Sequence, residues 1–121
     1  MLIKKRIDPA KIEAAITPKT KAIMGVHLYG QPFNRDAVKE IADKHNLVLL
    51  EDAAQAHGAK YNNEPIGKGA YLQSYSFYPG KNLGATGEGG AIVTNDEKLY
   101  KKMLSLRNHG STEKYYHEEI G

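Results

Sequence analysis

The sequence predicts an α/β fold in which a mostly parallel sheet is flanked by helices. Two apolar runs, AIMGVH at residues 22 to 27 and LVLL at 47 to 50, lack alternation, as expected of strands covered on both faces. The segment between them, residues 34 to 45, repeats its apolar side chains at helical spacing and is charged elsewhere. Strand, helix and strand at this spacing indicate a βαβ unit with a right-handed crossover.

Two further helices are predicted on either side of this unit. The first covers residues 8 to 16, with Pro9 at the first helical position. The other covers residues 96 to 108, and a capping box from Thr94 to Glu97 is expected to begin it. Three helices cannot cover both faces of the sheet, so some apolar surface is expected to remain exposed.

The second half of the chain adds strands and a glycine-dense loop. An irregular hairpin is predicted around residues 62 to 63, followed by a strand at 71 to 77. The loop PGKNLGATGEGG at residues 79 to 90 then leads into a short strand at 91 to 94. No linker or internal repeat divides the chain, so residues 1–121 are interpreted as a single domain or part of one.

Composition excludes several classes of function. The net charge of +3 is spread along the 121 residues, so nucleic-acid binding is not indicated. The chain has no cysteine, which excludes disulfides, Cys-ligated zinc and a thiol nucleophile, and favours the cytoplasm. No apolar stretch approaches the roughly 20 residues of a membrane span, so we expect no membrane partner.

Asp52 is the first candidate functional residue, because it ends the most apolar strand. In open parallel sheets, ligands bind at the carboxyl ends of the strands. Position alone leaves two interpretations open, a carboxylate that caps a loop and a carboxylate that binds a ligand. The chain contains neither a phosphate-loop motif nor a G-x-G-x-x-G fingerprint, so both nucleotide-binding motifs are excluded.

Lys81 is the second candidate, because its setting differs from that of a surface lysine. It follows the strand segment SYSF and a Pro-Gly pair, and it precedes the glycine-dense stretch. Partial desolvation there would lower the pKa of the amine and allow attack on a carbonyl, so Schiff-base chemistry is the natural use. Ser76, five residues earlier, has a hydroxyl for a phosphate, although a bond to its own backbone is an equal alternative.

A metal site is an alternative hypothesis. His27, Asp52 and His57 are the trio near predicted strand ends, but no H-E-x-x-H or comparable spacing supports them. The sequence therefore predicts no metal.

Three segments together resemble one enzyme family. They are EDAAQAHGA at residues 51 to 59, SFYPGKNLGATGEGGAIVTND at 76 to 96, and RNHG at 107 to 110. They closely resemble the pyridoxal-phosphate-dependent sugar aminotransferases of the DegT/DnrJ/EryC1/StrS family, and the likeness extends over nearly the whole chain.

The resemblance implies a fold and a set of site residues. The family uses the type I, or aspartate aminotransferase, fold, and this chain would be part of its large domain. By resemblance, Lys81 would form the Schiff base with pyridoxal 5'-phosphate, and Asp52 would pair with the pyridine nitrogen. Gln55 would contact the cofactor ring or its phenolic oxygen, and Ser76 would hold the phosphate.

The resemblance also implies an activity. Glutamate would donate an amino group that passes to a nucleotide-linked keto-deoxysugar, and the form SFYPGKNLGA favours the branch that aminates C3 over the C4 branch. Related members that dehydrate have histidine in place of the lysine, so Lys81 favours transamination. A homodimer or higher oligomer is expected.

The resemblance departs from the family pattern at two points. Ala70-Tyr71 stands where the family commonly has a small residue and Asp, which puts packing or ligand access there in doubt. Family enzymes also extend well beyond this chain on both sides. Residues 1–121 are therefore expected to be the central part of the cofactor-binding domain, without the upstream phosphate-binding loop and the downstream small domain. Such a fragment is expected to be inactive alone, and a non-enzymatic remnant that binds a partner or itself is the alternative.

Overall fold

The structure, a computed structural model, describes residues 6–113 and 116–117. Short helices alternate with strands along the first half of the chain, and the second half contains mostly strands and loops. In chain order the elements are α1 (Pro9–Ala15), β1 (Ala22–Val26), α2 (Arg35–Lys44), β2 (Val48–Asp52), β3 (Lys60–Tyr61), β4 (Glu64–Pro65), β5 (Leu72–Ser76), β6 (Gly90–Val93), α3 (Glu97–Arg107), β7 (Ser111–Glu113) and β8 (Tyr116–His117).

A four-stranded sheet in the order β1-β2-β5-β6 organises the fold. Strands β1, β2 and β5 are parallel, and β6 runs antiparallel to β5. The prediction of a mostly parallel sheet with a βαβ unit is therefore confirmed. The register pairs Val26 with Asp52 and Asp52 with Ser74, so the carboxyl ends of the three parallel strands lie at one edge.

The main core lies between this sheet and helices α1 and α2. Its buried residues are Ile12, Ile23, Phe33, Val38, Ala42 and Leu49. The side chain of Phe33 is fully buried, and its ring lies directly over Gly25 in β1. A Cβ at Gly25 would come within 2.3 Å of the ring, so this position of the strand needs glycine.

Among the described residues, the opposite face of the sheet is largely uncovered, and α3 borders it at β5 and β6, where Ser74 and Ile92 line a cavity with Tyr100 and Leu104. Met24 of β1 is 59% exposed and Ile92 of β6 is 54% exposed, and Val26 and Val48 are also exposed. The expectation that apolar surface remains uncovered is confirmed. The expectation that the strands are covered on both faces holds for one face only, because α1 and α2 pack on the same side.

Helix α3 begins differently from the prediction. Asp96 is its N-cap, and its carboxylate accepts the backbone N–H groups of Lys98 and Leu99. The predicted Thr94 capping box is wrong, because Thr94 instead donates its hydroxyl to the carbonyl of Tyr71. This bond ties the end of β6 to the residues that precede β5.

Ala70-Tyr71, which depart from the family pattern, lie just before β5, where Thr94 bonds to Tyr71. Ala70 is fully buried, and its carbonyl accepts the side-chain amide of Asn95 at 3.0 Å. These residues precede β5, at the opposite end of the strand from Ser76. The departure therefore affects packing at the amino end of the strand.

The predicted hairpin is confirmed. Strand β3 pairs with β4, and both Asn62 and Asn63 between them have positive φ.

Across the residues that the structure describes, no helix is both long enough and apolar enough to cross a membrane.

Candidate active site

Asp52 ends β2 with a carboxylate that is half-buried on the open face of the sheet. Its Oδ1 accepts the backbone N–H of Ala54 at 2.9 Å, which turns the chain sharply after the strand. Among the described residues this is the one hydrogen bond that the carboxylate makes. Oδ2 is therefore left for a ligand, so the loop-capping and ligand-binding interpretations of Asp52 are compatible.

Ser76 ends the neighbouring strand β5 on the same face. Asp52 pairs with Ser74, and Ser76 follows two residues later, so all three side chains lie on one side of the sheet. The Ser76 Oγ accepts the backbone N–H of Tyr78 at 3.3 Å. Because the oxygen is the acceptor in this bond, the hydroxyl hydrogen is left to donate elsewhere.

Lys81 lies in a tight turn directly after β5. Its backbone N–H donates to the carbonyl of Tyr78 at 2.8 Å, and its side chain is half-buried. The glycine-dense loop beyond it is closed by two backbone bonds, from Ala85 to Phe77 and from Phe77 to Gly89. The loop that carries Lys81 is thus attached at both ends to strands β5 and β6.

Gln55 and Lys81 line one cavity of about 530 Å³. Tyr29, His57 and Asn82 also contribute to its wall. The structure therefore brings two of the four predicted site residues into one space. Asp52 and Ser76 do not line this cavity, but they end their strands at the same edge of the sheet.

Behind the site, a buried ionic cluster lies on the covered face of the sheet. Glu51 is 2% exposed, and its carboxylate meets the Arg35 guanidinium at 2.9 Å and the His27 ring at 3.0 Å. No prediction from the sequence included this cluster. The sequence does contain an indication of it. Glu51 directly precedes Asp52 in an apolar strand, so its side chain must face the side opposite to Asp52 and needs a buried partner there.

The negative charge of this cluster also affects the pKa of Tyr75, which lies on the covered face. Burial raises the pKa of the Tyr75 hydroxyl, and the negative charge of Glu51 raises it further. Tyr75 donates its hydroxyl to the Gln73 Oε1 at 3.1 Å. Tyr75 therefore stays a neutral hydrogen-bond donor over the ordinary pH range.

The metal hypothesis gains no support from the geometry. The His27 ring is paired with Glu51 on the covered face, whereas Asp52 faces the open side. The His57 ring packs against Tyr75 and Phe77, each at 5.5 Å between ring centroids. Within residues 6–113 and 116–117, no group of three or more His, Asp or Glu side chains could hold a metal ion.

The chain is similar in sequence to curated proteins, among them an aminotransferase. It is 54% identical over 115 residues to a dTDP-3-amino-3,4,6-trideoxy-alpha-D-glucose transaminase of Streptomyces venezuelae, covering 95% of this chain and 30% of that protein. It is also 56% identical over 115 residues to a pleiotropic regulatory protein of Geobacillus stearothermophilus, covering 95% of this chain and 31% of that protein. The chain thus spans about a third of the length of these curated relatives.

Solved structures show the same likeness in three dimensions. The DesV structure from S. venezuelae, in complex with a ketimine intermediate, matches with a TM-score of 0.93 at 53% identity, covering 96% of this chain and 31% of that chain. The ntda structure from Bacillus subtilis, with bound cofactor pmp, matches with a TM-score of 0.86 at 40% identity, covering 96% of this chain and 26% of that chain. These matches confirm the expected fold.

The sequence profile of the DegT/DnrJ/EryC1/StrS aminotransferases covers nearly all of this chain, from residue 4 to residue 121. This match shows that the chain belongs to the DegT/DnrJ/EryC1/StrS aminotransferase family.

Proposed function

We propose that the complete enzyme, meaning this segment within a polypeptide of family length, transfers an amino group from glutamate to a nucleotide-linked keto-deoxysugar with pyridoxal 5'-phosphate as cofactor. One observation carries the proposal. Lys81 and Gln55 share a cavity at the sheet edge where Asp52 and Ser76 end their strands. The relative named as a transaminase supports the same reaction class.

The side chains at this edge fit the cofactor. Asp52 has an unpaired Oδ2 for a protonated pyridine nitrogen, and the Ser76 hydroxyl has a hydrogen free for a phosphate oxygen. Lys81 supplies an amine beside the amide of Gln55. When bound, pyridoxal phosphate would accept the electron pair released at the carbon that bears the amino group.

Each residue then has a definite task. The negative charge of Asp52 holds the proton on the pyridine nitrogen. The Lys81 amine would hold the cofactor covalently and, when free, would take the proton from the amino-bearing carbon of the donor. The Ser76 hydroxyl and the Gln55 amide keep the ring in place while this proton moves.

The loop sequence and one relative support the proposed acceptor. The segment SFYPGKNLGA favours C3 of a deoxyhexose, and the S. venezuelae relative is named for a 3-amino sugar. We propose that the enzyme works in the cytoplasm, since this segment of it contains no cysteine, and that it acts as a homodimer. In this proposal the segment is part of the cofactor-binding large domain and is inactive by itself.

A second candidate function is a non-enzymatic module that binds a partner or itself. The open apolar face around Met24 and Ile92 favours it, as does the relative named as a regulatory protein. Lys81 argues against it, because a binding module needs no amine in a cavity beside Gln55.

One experiment separates the two functions. The complete enzyme is mixed with pyridoxal phosphate and glutamate, and a panel of dTDP-linked and UDP-linked keto sugars, carrying the carbonyl at C3 or C4, is added singly. Formation of 2-oxoglutarate with a C3-keto sugar supports the proposal, and faster turnover of a C4-keto sugar would contradict the C3 assignment. Absence of transfer to every sugar, together with no visible absorption from bound cofactor, would favour the binding module.

A further inference from the structure

A strained turn follows β1 at the edge of the sheet. Residues Leu28–Gly30 form a single 3₁₀ turn in which Tyr29 has φ +56° and ψ +31°, and Gly30 has φ +76°. Glycine adopts this left-handed conformation freely, whereas a bulky residue such as tyrosine rarely does. Strain of this kind persists where the surroundings impose it, and it concentrates at functional sites.

The turn is attached to the end of β2 by its neighbours. His27, which precedes it, is fully buried, and its backbone N–H donates to the carbonyl of Asp52 at 2.9 Å. The His27 ring is paired with Glu51 at 3.0 Å. At the other end, Gln31 donates its N–H to the carbonyl of Leu28. The strained residue therefore sits on a rigid base next to the candidate site.

The left-handed conformation directs the backbone of Tyr29 at Gln55. The Tyr29 N–H donates to the Gln55 Oε1 at 3.0 Å. Because the amide oxygen is used in this bond, the NH₂ group of Gln55 is the one left for a bound molecule. The strained turn therefore fixes the orientation of the Gln55 amide, with its oxygen towards the Tyr29 N–H.

The ring of Tyr29 lies at the same cavity. Its side chain is 69% exposed, and it lines the space together with Lys81 and Gln55. Asp52 and Ser76, the groups proposed for the pyridine nitrogen and the phosphate, end their strands at the same edge of the sheet but do not line this space. Because Tyr29 and Lys81 line the same space, a molecule bound there beside the Lys81 amine can contact the Tyr29 ring.

We propose that Tyr29 is a specificity-determining residue that contacts the sugar ring of the acceptor substrate. The inference rests on the proposed function. The face of the phenol ring suits the C–H face of a pyranose, and its hydroxyl can bind a sugar hydroxyl. Glutamate has no sugar ring, so this contact stabilises the bound acceptor and does not contribute to the binding of the donor.

The test compares two variants of Tyr29 in the complete enzyme. Tyr29→Gly removes the ring but adopts the turn without strain, so the backbone N–H still reaches Gln55. Tyr29→Phe keeps the ring and removes the hydroxyl. The control is Tyr100→Ala, which removes an exposed tyrosine from α3, outside the cavity. Readouts are KM for glutamate and for the preferred keto sugar, the absorption spectrum of bound cofactor, and calorimetric binding of dTDP-3-amino-3,6-dideoxy-alpha-D-galactopyranose.

We expect Tyr29→Gly to raise the KM for the sugar and the Kd of the calorimetric probe by about tenfold or more, corresponding to the loss of about 1.4 kcal/mol of binding. The KM for glutamate and the cofactor spectrum should stay as in the wild type, and Tyr29→Phe should retain most of the sugar affinity. Unchanged sugar KM and probe affinity in Tyr29→Gly would overturn the inference, as would equal losses for sugar and glutamate or an altered spectrum. A wild-type enzyme that aminates no sugar would instead refute the proposed function, and the assignment of Tyr29 with it.

Discussion

Glu51 and Asp52 are adjacent on β2, yet their carboxylates lie on opposite faces of the sheet. The register pairs Glu51 with Gly25 and Asp52 with Val26, and side chains alternate along a strand. Glu51 is buried against Arg35 and His27, whereas Asp52 is half-buried on the open side with one oxygen unpaired. The strand thus separates a structural carboxylate from the one proposed to bind the cofactor.

This separation predicts that a change at Glu51 lowers the stability of the fold much more than a change at Asp52. Glu51→Leu should lower the free energy of unfolding by about 3 kcal/mol, because Arg35 loses its buried counter-charge and the His27 ring loses its hydrogen-bond partner. Asp52→Asn should change it by less than about 1 kcal/mol, because the amide oxygen can still accept the N–H of Ala54. Denaturant unfolding of both variants in the complete enzyme measures the difference. Equal stability of the two variants would contradict the structural role of Glu51.

Asp52→Asn should instead reduce turnover. The neutral amide cannot hold a proton on the pyridine nitrogen, although the other contacts of the cofactor remain. A loss of about 2 kcal/mol of transition-state stabilisation lowers the rate about thirtyfold. Steady-state kinetics with cofactor content measured in parallel tests this, and near-normal turnover by the variant would rule out the pairing.

Lys81→Ala should abolish the covalent adduct that borohydride traps between the complete enzyme and pyridoxal phosphate. Among the residues that the structure describes, Lys81 is the one lysine that lines the cavity with Gln55. Lys68→Ala is a matched control, because Lys68 is an exposed lysine paired with Glu64, and this variant should form the adduct at the wild-type yield. Mass spectrometry of the reduced protein identifies the modified lysine. An undiminished adduct at a different lysine would exclude the assignment of Lys81.

Gly25→Ala should destabilise the fold, because the added Cβ would meet the buried Phe33 ring at 2.3 Å. Overpacking of this kind costs about 1–3 kcal/mol. Gly87→Ala serves as the control, since a Cβ at that position has no atom within 4 Å. Thermal unfolding of both variants compares them, and a Gly25→Ala variant as stable as Gly87→Ala would show that Phe33 moves aside without cost.

The isolated 121-residue segment should self-associate through the open face of its sheet and bind pyridoxal phosphate weakly. Met24 and Ile92 leave apolar surface on this face, and such surfaces are covered by association. Met24→Lys should shift the segment towards monomer, whereas Leu83→Lys, at an exposed residue of the glycine-dense loop, should not. Sedimentation at low micromolar concentration, with a cofactor titration, measures both properties. A stable monomer that binds the cofactor tightly would be the opposite result.

The sequence alone was sufficient for the main elements of the fold and for the family. The βαβ unit was predicted because unalternating apolar strands and an amphipathic helix are local patterns, and Asp52 and Lys81 stood out by their positions after strands. The beginning of α3 was predicted incorrectly because Thr94 and Asp96 are both acceptable caps. Thr94 bonds instead to Tyr71, which is 23 residues away in sequence, and this long-range contact selects Asp96.

Only the tertiary structure decided which polar groups meet. Glu51 is paired with Arg35 and His27 because three elements converge on the covered face, and no local pattern encodes that convergence. The contact of Tyr29 with Gln55 depends on a left-handed turn that the register of β1 against β2 brings beside the residues after Asp52. Local propensity decides where a strand or helix forms, whereas the partners of a side chain depend on residues that are distant in sequence and become neighbours only when the sheet assembles.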